Sequence, residues 1–544
     1  MDGEAGALKV SDLVKTIVSL GIHLESEEEE VLKLEYDPNR PDFSSDYGIA
    51  RALKGRLGLE LGAPKHKLKT PSVDVLVDSD VGRVRPYISC LIARQVSLDD
   101  ESIRQLISMQ EDLHNGIGRK RKKFAIGLHN LDVLKPPIHY TVADPTFRFI
   151  PLGYSFPMPI EQVLQDTEVG RRYGSLVKGN NYPLLKDSRG TVLSVPPIVN
   201  GVATEVKSNT RNLFVDVTGT ERRLVDDALA IISEALADAG AKLEKVRIKE
   251  AESVLETPEL NMRSVEIKPS QVKNLLGLDL EKREIIDSLL KTRFDAVSKG
   301  NCIMVKIPRY RVDILHPVDL IEEVAYGYGF ENLKPDFGFS YSKGEPDSLA
   351  IALDSVRRLF VGLGFQEIVN YSLISRESLY QNLLRDDTDA VRVESSKTQL
   401  YEYLRDTLVA GMLEILYKNI HQEYPQKLFE IGYCFFRDKS SETGIREELI
   451  LCAALSAEKA SFSDIRSVLD TFLLKLNNIK PEYKQFECSY LAEGRAASCM
   501  VSGKSVGYAG EVKPEVLVNF GLRMPVSLLE VKLQDLLSSK LPER

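Results

Sequence analysis

The stretch "PRYRVDILHPVDLIEEVAYGYGF", residues 308–330, places four carboxylates within eleven positions. They are Asp313, Asp319, Glu322 and Glu323. Pro317 suits the first turn of a helix, and helical geometry over residues 317–328 puts the last three carboxylates at i, i+3 and i+4 on one face. The pattern therefore predicts a helix over residues 317–328 with an acidic face. The opposite face, which should pack inward, carries Ile321, Val324, Ala325 and Tyr328.

Two interpretations of this acidic face follow from its residues alone. The first is an amphipathic helix with a solvated face, since acidic groups near a helix N-terminus are favoured by the helix dipole. The second is a site for a hard cation, because like charges at this spacing repel and a bound Mg²⁺ would relieve that repulsion. Magnesium takes oxygen ligands and keeps several waters, and Asp313 could reach the same point from the preceding extended segment. The spacing leaves both interpretations open.

The length and composition of the chain indicate a multidomain globular protein. Its 544 residues are too many for one core, and they are 43% hydrophobic and 28% charged. No apolar run reaches the roughly 18 residues of a membrane helix, and the N-terminus lacks the pattern of a signal peptide. The six cysteines are scattered without a C-x-x-C pair, which is typical of reduced thiols and argues against a zinc knuckle. We therefore expect a cytoplasmic protein with no membrane partner.

The chain divides into four predicted regions of an α+β multidomain fold. The first ends near a Pro- and Lys-rich linker at residues 61–71. The second mixes strand-like runs with a helix at 221–239, which Thr220 is placed to cap and Gly240 to end. The last alternates helices with strand-like runs and is large enough to fold alone. The predicted boundaries are residues 1–75, 76–258, 260–335 and 336–544.

A second stretch, "NRPDFSSDYGIARALKG" at residues 39–55, joins a turn to a helix. Pro41 and Asp42 favour the turn, and Ser45 can cap the helix. The predicted short apolar face of that helix is Tyr47, Ala50 and Leu53. By itself this is ordinary turn-and-cap chemistry.

Together, the two stretches resemble the β subunit of phenylalanyl-tRNA synthetase, of the shorter archaeal and eukaryotic type. The family's N-terminal motif reads much like N-R-P-D-x-x-S-x-x-G-I-A-R, and its B5 module resembles the pattern from Pro308 to Ala325. Further stretches are similar to the family's B3/B4 editing module and to its degenerate class II catalytic module, in family order. They are "VLSVPPIVNG" (192–201) and "TRNLFVDVTGT" (210–220) for the first module, and "YLRDTLVAGMLEIL" (403–416), "KLFEIGYCF" (427–435) and "GEVKPEVLVNFGL" (510–522) for the second.

The resemblance implies a subunit whose synthetase reaction takes place elsewhere. In this family phenylalanine is joined to tRNA(Phe) on the partner α subunit, which binds ATP, within an α2β2 heterotetramer. The fourth region should be a class II-like antiparallel-sheet domain that has lost the reaction. Class II enzymes hold ATP phosphates with an Arg two residues before a Glu, but Leu428 stands two residues before Glu430 here. That region would then serve as a packing surface for α.

The second region would carry chemistry of its own, the hydrolysis of mischarged Tyr-tRNA(Phe). By resemblance, the editing pocket involves Leu185, Ser194, Pro196, Asn200, Asp216, Thr218 and Gly219. Leu185 would form a wall, Gly219 would permit close backbone approach, and the polar side chains would read a hydroxyl or position a water. From the residues alone, the hydroxyls and Asp216 could equally be ordinary polar positions of strands, and Pro196 could mark a strand edge.

No catalytic base is assigned within this predicted pocket. The sequence shows no recognisable Ser/His/Asp arrangement. His114, His129 and His139 are interpreted as surface residues or as residues with satisfied hydrogen bonds.

The densest basic run is "GRKRKKFAIGLHN" at residues 118–130. Such a cluster can neutralise several phosphates, although a solvated loop is the simpler interpretation. Its position inside the predicted editing region favours contact with the acceptor arm of tRNA(Phe), while the net charge of −9 does not favour RNA binding by the whole surface. The predicted tRNA-binding residues are Arg119, Lys120, Arg121, Lys122 and Lys123.

The resemblance also bears on the acidic face. B5 modules of the family hold a structural Mg²⁺ with these four carboxylates, Asp313, Asp319, Glu322 and Glu323, at the boundary between α and β. Two rival functions remain: a self-contained editing hydrolase or RNA-binding protein that works without α, and a purely structural scaffold with an inactive editing site.

Overall fold

The computed structural model describes residues 10–28, 31–251, 253–335, 338, 342–386 and 390–537. The chain forms two compact units, Met1–Asp336 and Phe337–Arg544. The outer limits of the first and fourth predicted regions, residues 1 and 544, lie outside the described residues. Among the residues that are described, no helix combines the length and apolar character needed to span a membrane. Mixed helices and sheets in both units agree with an α+β multidomain protein.

The first unit begins with two helices that flank a two-stranded antiparallel ribbon. Ser45 precedes the second helix, and its side chain accepts a hydrogen bond from the backbone nitrogen of Gly48, which confirms the predicted cap. These elements are α1 (Val10–Val18), β1 (His23–Glu28), β2 (Val31–Glu35) and α2 (Asp46–Arg56).

Helix α2 buries a different face from the one that its apolar residues predict. Its buried positions are Gly48, Arg51 and Gly55, whereas the three residues predicted as its apolar face are half-buried or exposed. Of the predicted face, Leu53 packs against the apolar cluster of Ile17, Ile22 and Phe43, while Ala50 is exposed. Arg51 is held by Asp42, whose Oδ2 lies 3.8 Å from Arg51 Nη2, and by Asp238.

A large mixed sheet forms the body of the first unit. Its strands run in the order β11-β10-β9-β6-β3-β13-β4-β12-β5, with β14 added beside β13. Strand β12 pairs antiparallel with both β4 and β5, so Asp216 faces Cys90 on one side and Gly127 on the other. Two short strands, β7 (Arg148–Phe149) and β8 (Met158–Pro159), pair with each other in a separate sheet. The strands of the large sheet are β3 (Asp74–Val77), β4 (Tyr87–Arg94), β5 (Phe124–Asn130), β6 (Ile138–Ala143), β9 (Tyr182–Asp187), β10 (Val192–Val195), β11 (Val199–Asn200), β12 (Asn212–Gly219), β13 (Lys242–Lys249) and β14 (Val254–Thr257).

Helices pack against this sheet, and one of them follows the predicted spacing. The predicted buried face of α6 is at most 2% exposed, and Gly240, with φ +89°, follows the helix end as expected. Thr220 does not cap the helix, because Glu221 holds the N-cap position and the Thr220 hydroxyl donates to the Lys122 carbonyl instead. The helices are α3 (Asp100–Asn115), α4 (Ile160–Asp166), α5 (Glu168–Tyr173) and α6 (Arg222–Asp238), whose buried face is Val225, Leu229, Ile232 and Leu236.

The last part of the first unit contains the helix predicted from the opening stretch. A three-stranded antiparallel sheet in the order β15-β17-β16 packs with three helices, and α9 has the predicted bounds. Ile321, Val324 and Ala325 are buried as expected, and Tyr328 is half-buried. The elements are β15 (Arg263–Ile267), α7 (Pro269–Leu276), α8 (Lys282–Lys291), β16 (Asp295–Lys299), β17 (Cys302–Ile307) and α9 (Pro317–Tyr328).

The second unit is built on a sheet in the order β18-β21-β22-β26-β25-β24-β23. It is antiparallel except where the short β18 runs parallel to β21. Leu428 lies on β21 in the apolar core, and Glu430 is paired with Arg405 at 2.6 Å. The elements are α10 (Ser348–Gly362), β18 (Gln366–Glu367), β19 (Leu373–Ile374), β20 (Tyr403–Leu404), α11 (Val409–Lys418), β21 (Gln426–Arg437), β22 (Ile445–Ser456), α12 (Phe462–Asn477), β23 (Glu482–Gln485), β24 (Leu491–Val501), β25 (Lys504–Val512), α13 (Pro514–Asn519), β26 (Val526–Lys532) and α14 (Leu533–Leu537).

Candidate functional site

The first unit contains a cavity of about 430 Å³ between helix α3 and strands β5, β10, β11 and β12. This size falls within the range of small-molecule pockets. Apolar side chains such as Ile126, Leu128 and Leu213 form part of its wall. Five of the residues predicted for the editing pocket line it: Ser194, Pro196, Asn200, Asp216 and Thr218.

The other two predicted pocket residues lie outside the cavity lining. Leu185 pairs with Ser194 across β9 and β10, but its side chain is fully buried in an apolar cluster. Gly219 is required by packing, because a Cβ there would lie 2.5 Å from both the Lys123 carbonyl oxygen and Val225 Cγ2. Both residues therefore support the sheet around the cavity.

A buried chain of polar side chains holds Asp216 at the cavity wall. His129 Nε2 lies 2.9 Å from Asp216 Oδ1, and His129 Nδ1 lies 2.8 Å from Thr204 Oγ1. Both Asp216 and Thr204 line the cavity, together with Gly127. The His129 ring is fully buried, so its two nitrogens find their partners within the protein.

Thr218 is held by a second buried group, the guanidinium of Arg85. Arg85 Nε donates to Thr218 Oγ1 at 3.0 Å, and its Nη2 donates to the Thr218 carbonyl at 2.7 Å. Among the ion pairs of the described residues, none involves Arg85. Desolvation by burial lowers the pKa of Arg85 to about 10, so the group remains a cation at neutral pH.

Glu111, on helix α3, contributes a carboxylate to the lining of the cavity. His114 Nδ1 lies 3.1 Å from Glu111 Oε1, while His114 Nε2 accepts from the backbone nitrogen of Ile126 at 2.8 Å. Arg121 Nη2 donates to the same Glu111 oxygen at 2.7 Å. The hydrogen bond from His114 and the charge of Arg121 outweigh desolvation and lower the pKa of Glu111 to about 2.

Some buried polar atoms of the cavity lining have no hydrogen-bond partner among the described residues. One of them is the hydroxyl oxygen of Ser194, Oγ. Arg121 Nε and the Tyr173 hydroxyl are likewise buried and unpaired, with the guanidinium carbon of Arg121 4.2 Å from the centre of the Tyr173 ring. A ligand or an ordered water can satisfy such groups.

The basic run does not present all five of its side chains to solvent. Arg119, Lys120 and Arg121 have φ values of +49°, +55° and +63°, a left-handed turn that non-glycine residues rarely adopt. This turn directs Arg121 into the cavity, where its Nη1 donates to the Ile198 carbonyl at 3.1 Å. Arg119, Lys120 and Lys122 are exposed, while Lys123 pairs with Glu221.

The four carboxylates of the opening stretch are held in different ways. Asp313 pairs with Arg311, whose Nε and Nη2 donate at 2.9 and 2.6 Å. Glu323 is buried and pairs with the same arginine, so the interpretation of a solvated face does not hold for this residue. Asp319 Oδ2 caps the helix by accepting from two backbone nitrogens at 2.6 and 2.7 Å.

Glu322 is the exposed member of the four. Desolvation by burial, followed by the charges of Glu323, Asp319 and Asp313, raises the pKa of Glu322 above its usual value. Among the described residues it makes no ion pair, so the repulsion between carboxylates is felt most at this side chain.

Arginines and carboxylates join the two stretches on which the family resemblance depends. Arg40 donates to both oxygens of Asp42 at 2.9 Å, and its Nη1 lies 3.9 Å from Glu323 Oε1. Burial opposes the charged form of Asp42, but the guanidinium groups of Arg40, Arg311 and Arg51 outweigh it and hold the pKa of Asp42 below its usual range. The turn at residues 39–45 is thus packed against the end of the 308–330 stretch.

Comparison with known proteins gives consistent matches along the chain. Residues 265–330 match the family described as the tRNA synthetase B5 domain, and residues 339–533 match the phenylalanyl-tRNA synthetase β-chain CLM domain. The chain is 37% identical over 530 residues to the phenylalanine–tRNA ligase β subunit of Methanosarcina barkeri, covering 96% of each chain. It is 35% identical to that of Methanococcoides burtonii, again covering 96% of each. The chain belongs to the phenylalanyl-tRNA synthetase β-subunit family.

A solved structure of the same family supports the fold of the first unit. It is the crystal structure of an N-terminal fragment of the Pyrococcus horikoshii phenylalanyl-tRNA synthetase β subunit, with a TM-score of 0.58 and 37% identity. The match covers 59% of this chain and 95% of the fragment. Family membership confirms the predicted resemblance, whereas the editing pocket, the magnesium ligands and the four domain boundaries stay predictions.

Several residues at the cavity were missed by the sequence-based analysis. Arg85, Glu111 and Thr204 lie outside the quoted motifs, and His129 was interpreted as a surface or satisfied residue. Arg85 and its partner Thr218 stand 133 positions apart in the sequence, and His129 and Thr204 stand 75 apart, so only the tertiary fold brings these pairs together. The polar residues Asp216 and Thr218 alternate with apolar residues along β12, and this alternation was the local sequence pattern that indicated a polar wall of the cavity.

The acidic face meets some of the requirements of a magnesium site. All four side chains offer the oxygen donors that Mg²⁺ prefers. In the described part of the chain, only His66, Glu234 and Asp238 form a group of three or more possible ligands whose atoms lie within 4.8 Å of one another. Arg311 pairs with two of the four carboxylates, Asp313 and Glu323, and the set of four magnesium ligands stays a prediction. Asp319 Oδ1 and both oxygens of Glu322 have no partner among the described residues.

Proposed function

We propose that this chain is the β subunit of a phenylalanine–tRNA ligase and that it hydrolyses Tyr-tRNA(Phe) formed in error. The ligase converts ATP, L-phenylalanine and tRNA(Phe) into Phe-tRNA(Phe), AMP and pyrophosphate at a site on the partner α subunit. The observation that carries the hydrolytic part is the cavity of about 430 Å³ with five of the expected residues on its walls.

A second site is needed because the first cannot reject tyrosine strongly. A pocket that binds an apolar side chain discriminates by only about 10² against an isostere that adds a hydroxyl. A site that hydrogen-bonds the hydroxyl can instead recognise tyrosine and spare phenylalanine. The polar Asp216 and Thr218 beside apolar Ile126 and Leu213 suit that task.

The cavity also supplies groups for the rest of an aminoacyl ester. In the hydrolysis, a water oxygen bonds to the ester carbonyl carbon, the ester C–O bond breaks, and the ribose oxygen takes a proton. Glu111 is suited to pair with the substrate ammonium group, because a carboxylate with a pKa of about 2 is a poor general base. Arg121 is a donor close to the same wall, and donors there would stabilise the charge that develops on the carbonyl oxygen.

Deacylation of mischarged Tyr-tRNA(Phe) tests the proposed pocket directly. Asp216→Ala and Thr218→Ala, in the chain purified with its α subunit, are each expected to lower kcat/KM by roughly 10- to 100-fold, the effect of losing a hydrogen bond to a polar or charged group. Unchanged activity in both variants would remove the pocket assignment. Absence of hydrolysis by the wild-type complex would refute the proposed editing activity and favour the hypothesis of a purely structural scaffold.

Exposed Arg119, Lys120 and Lys122 suit contact with the phosphates of the acceptor arm. Arg121 joins this turn to the cavity, so an RNA end held at the turn lies next to the proposed reaction. Lys120→Gln is expected to weaken tRNA binding and to reduce the slope of affinity against salt concentration by about one. If the slope of affinity against salt concentration is unchanged, the turn is a solvated loop that does not contact tRNA phosphates.

We propose that the chain assembles with α as an α2β2 heterotetramer. The end-to-end match to β subunits supports a partner chain. Mass measurement after expression with and without a candidate α chain tests it, since a lone monomer that deacylates Tyr-tRNA(Phe) would favour the self-contained hydrolase.

We also propose that Asp319 and Glu322 bind Mg²⁺ with several waters, completed by Asp313 and Glu323. Magnesium is commonly held by one or two carboxylates and waters, which fits the two side chains with unpaired oxygens. The ion would stabilise the module and take no part in ester hydrolysis. Calorimetric titration with MgCl₂ should show binding that Glu322→Gln weakens, and no binding by the wild-type complex would contradict it.

A further inference from the structure

We infer that His66, Glu234 and Asp238 form a site for a divalent transition-metal ion, such as Zn²⁺, which fastens the linker at residues 61–71 to helix α6. The possible ligand atoms of the three side chains all lie within 4.8 Å of one another. This site shares no residue with the cavity or with the acidic face of α9. It can therefore exist whether or not the chain hydrolyses Tyr-tRNA(Phe).

The two carboxylates of the site stand where negative charge is unfavourable on a helix. Glu234 and Asp238 are i and i+4 neighbours on α6, and like charges at this spacing repel each other. Asp238 is also the last residue of the helix, the end at which the helix dipole favours a cation. A cation bound between the two side chains would relieve both effects.

Glu234 has little compensation for its charge. The residue is only 5% exposed, and among the ion pairs of the described residues its one partner is His66, whose Nε2 lies 2.6 Å from Glu234 Oε1. Buried charges are normally paired or bound to a metal. The imidazole compensates this carboxylate only while it carries a second proton, whereas an ion bound at Nε2 would do so with the ring neutral.

Each of the three side chains has an atom available for an ion. Arg51 occupies Asp238 Oδ2, while Asp238 Oδ1 and Glu234 Oε2 have no hydrogen-bond partner in the described part of the chain. A neutral imidazole binds metals through its unprotonated nitrogen, here His66 Nε2. Ligand atoms about 2.1 Å from a tetrahedral ion lie about 3.4 Å apart, which is within the spacing of this cluster.

Arg51 holds the Asp238 carboxylate in place without being a ligand. Its guanidinium carbon lies 4.1 Å from the centre of the Tyr310 ring, and its Nη2 lies 3.8 Å from Asp42 Oδ2. Carboxylates that bind metals are commonly oriented by hydrogen bonds of this kind. Because Asp42 offsets part of the Arg51 charge, the arginine does not cancel the two carboxylates of the site.

The ligand types indicate which class of ion the site takes. Imidazole suits Zn²⁺ and other transition-metal ions, whereas Mg²⁺ and Ca²⁺ take oxygen ligands. The His66 and Asp238 side chains are 23% and 22% exposed, so water can complete the coordination. The ion would join residues that stand 168 positions apart in the sequence, and binding to the folded chain alone stabilises that fold.

The experiment uses the full chain complexed with its α subunit, with excess MgCl₂ present to fill sites made only of oxygen ligands. ZnCl₂ is titrated calorimetrically, and Co²⁺ is titrated by its visible absorption, into the wild type, His66→Gln and Asp238→Asn. His23→Gln, which alters an exposed histidine of the same unit, is the matched control. Thermal unfolding is followed with and without a zinc-selective chelator.

We expect the wild type and His23→Gln to bind one Zn²⁺ that His66→Gln and Asp238→Asn bind at least roughly tenfold more weakly. The chelator should lower the unfolding midpoint of the wild type and leave that of His66→Gln unchanged. Equal zinc binding by the wild type and His66→Gln would overturn the inference. A wild-type Co²⁺ spectrum identical to that of the hydrated ion would overturn it without reference to any variant. Deacylation is not a readout, so the proposed function stands or falls separately.

Discussion

Gly127 shows how closely the groups of the cavity wall are packed. It lies opposite Asp216 on the neighbouring strand, and a Cβ at this position would lie 2.3 Å from Asp216 Oδ1 and 2.6 Å from His129 Nε2. Neither partner is the free end of a flexible side chain, because both are buried. The glycine is therefore needed to let the aspartate and the histidine meet.

Gly127→Ala should separate Asp216 from His129 and lower the stability of the first unit. We expect a loss of about 1–3 kcal/mol in the free energy of unfolding, the usual effect of overpacking, with a parallel loss of Tyr-tRNA(Phe) deacylation. Chemical denaturation and single-turnover deacylation measure the two effects. Gly82→Ala is the control, since a Cβ there meets no atom within 4 Å; equal behaviour of the two variants would contradict the packing argument.

Whether a residue of the cavity could be predicted from the sequence depends on how far it lies from its hydrogen-bond partners along the chain. Asp216 and Thr218 were predicted because they stand in one quoted motif. Arg85 and His129 were not, because their hydrogen bonds depend on the pairing of β12 with its neighbours. Gly219 illustrates the opposite case, in which a residue of the motif supports the sheet around the cavity. Leu185, which was predicted from the family resemblance but stands outside the quoted motifs, has the same supporting role.

At the scale of elements, one hydrogen bond ties the linker at residues 61–71 to helix α6. His66 Nε2 lies 2.6 Å from Glu234 Oε1, and that hydrogen bond, opposed by desolvation, raises the pKa of His66 above its usual value. The protonated imidazole is thus favoured in the folded chain.

The contribution of His66 to stability should decrease as pH rises. A raised folded-state pKa stabilises the protein fully below the unfolded value of about 6.5, and the effect is lost as pH rises through the folded value. The difference in unfolding free energy between wild type and His66→Gln should be about 0.5 kcal/mol at about pH 6 and smaller at about pH 9. His421→Gln, at an exposed position of the other unit, is the control. A difference that grows with pH would refute this assignment.

The bounds of helix α9 could be predicted from the sequence, whereas the burial of Glu323 could not. Pro317 and the apolar spacing define the helix locally. The environment of Glu323 depends on Arg311, which comes from the preceding segment, and on Arg40, which comes from the N-terminal turn. The acidic pattern was therefore interpreted as a single face, although its members have different partners.

Arg311→Met should strongly destabilise the first unit. The change removes the cation that pairs with Asp313 and leaves the buried Glu323 with Arg40, 3.9 Å away, and breaking a buried ion pair in this way costs about 3–5 kcal/mol. Thermal and denaturant unfolding measure the loss, and added MgCl₂ should offset part of it if the proposed ion binds there. Arg283→Met, at an exposed ion pair, should change stability by less than about 1 kcal/mol. Equal stability of the two variants would contradict the role of Arg311.

At the scale of the whole molecule, the two units contribute different properties. The first holds the cavity and the charged junction between the two quoted stretches. In the second, Arg405 and Asn370 engage Glu430 on β21, and Leu428 lies two residues earlier on the same strand, in the apolar core. Motif order along the chain was sufficient to predict the family, because short motifs survive at 35–37% identity.

Accumulation of Tyr-tRNA(Phe) by the complex of this chain with its α subunit is the most direct test of hydrolysis in the cavity. The complex is supplied with ATP, tRNA(Phe) and tyrosine without phenylalanine. We predict little accumulation with the wild-type chain and a rise of roughly tenfold or more with Asp216→Ala, while Phe-tRNA(Phe) synthesis, measured in a separate reaction with phenylalanine, stays unchanged. Equal accumulation by the two complexes would contradict hydrolysis in this cavity.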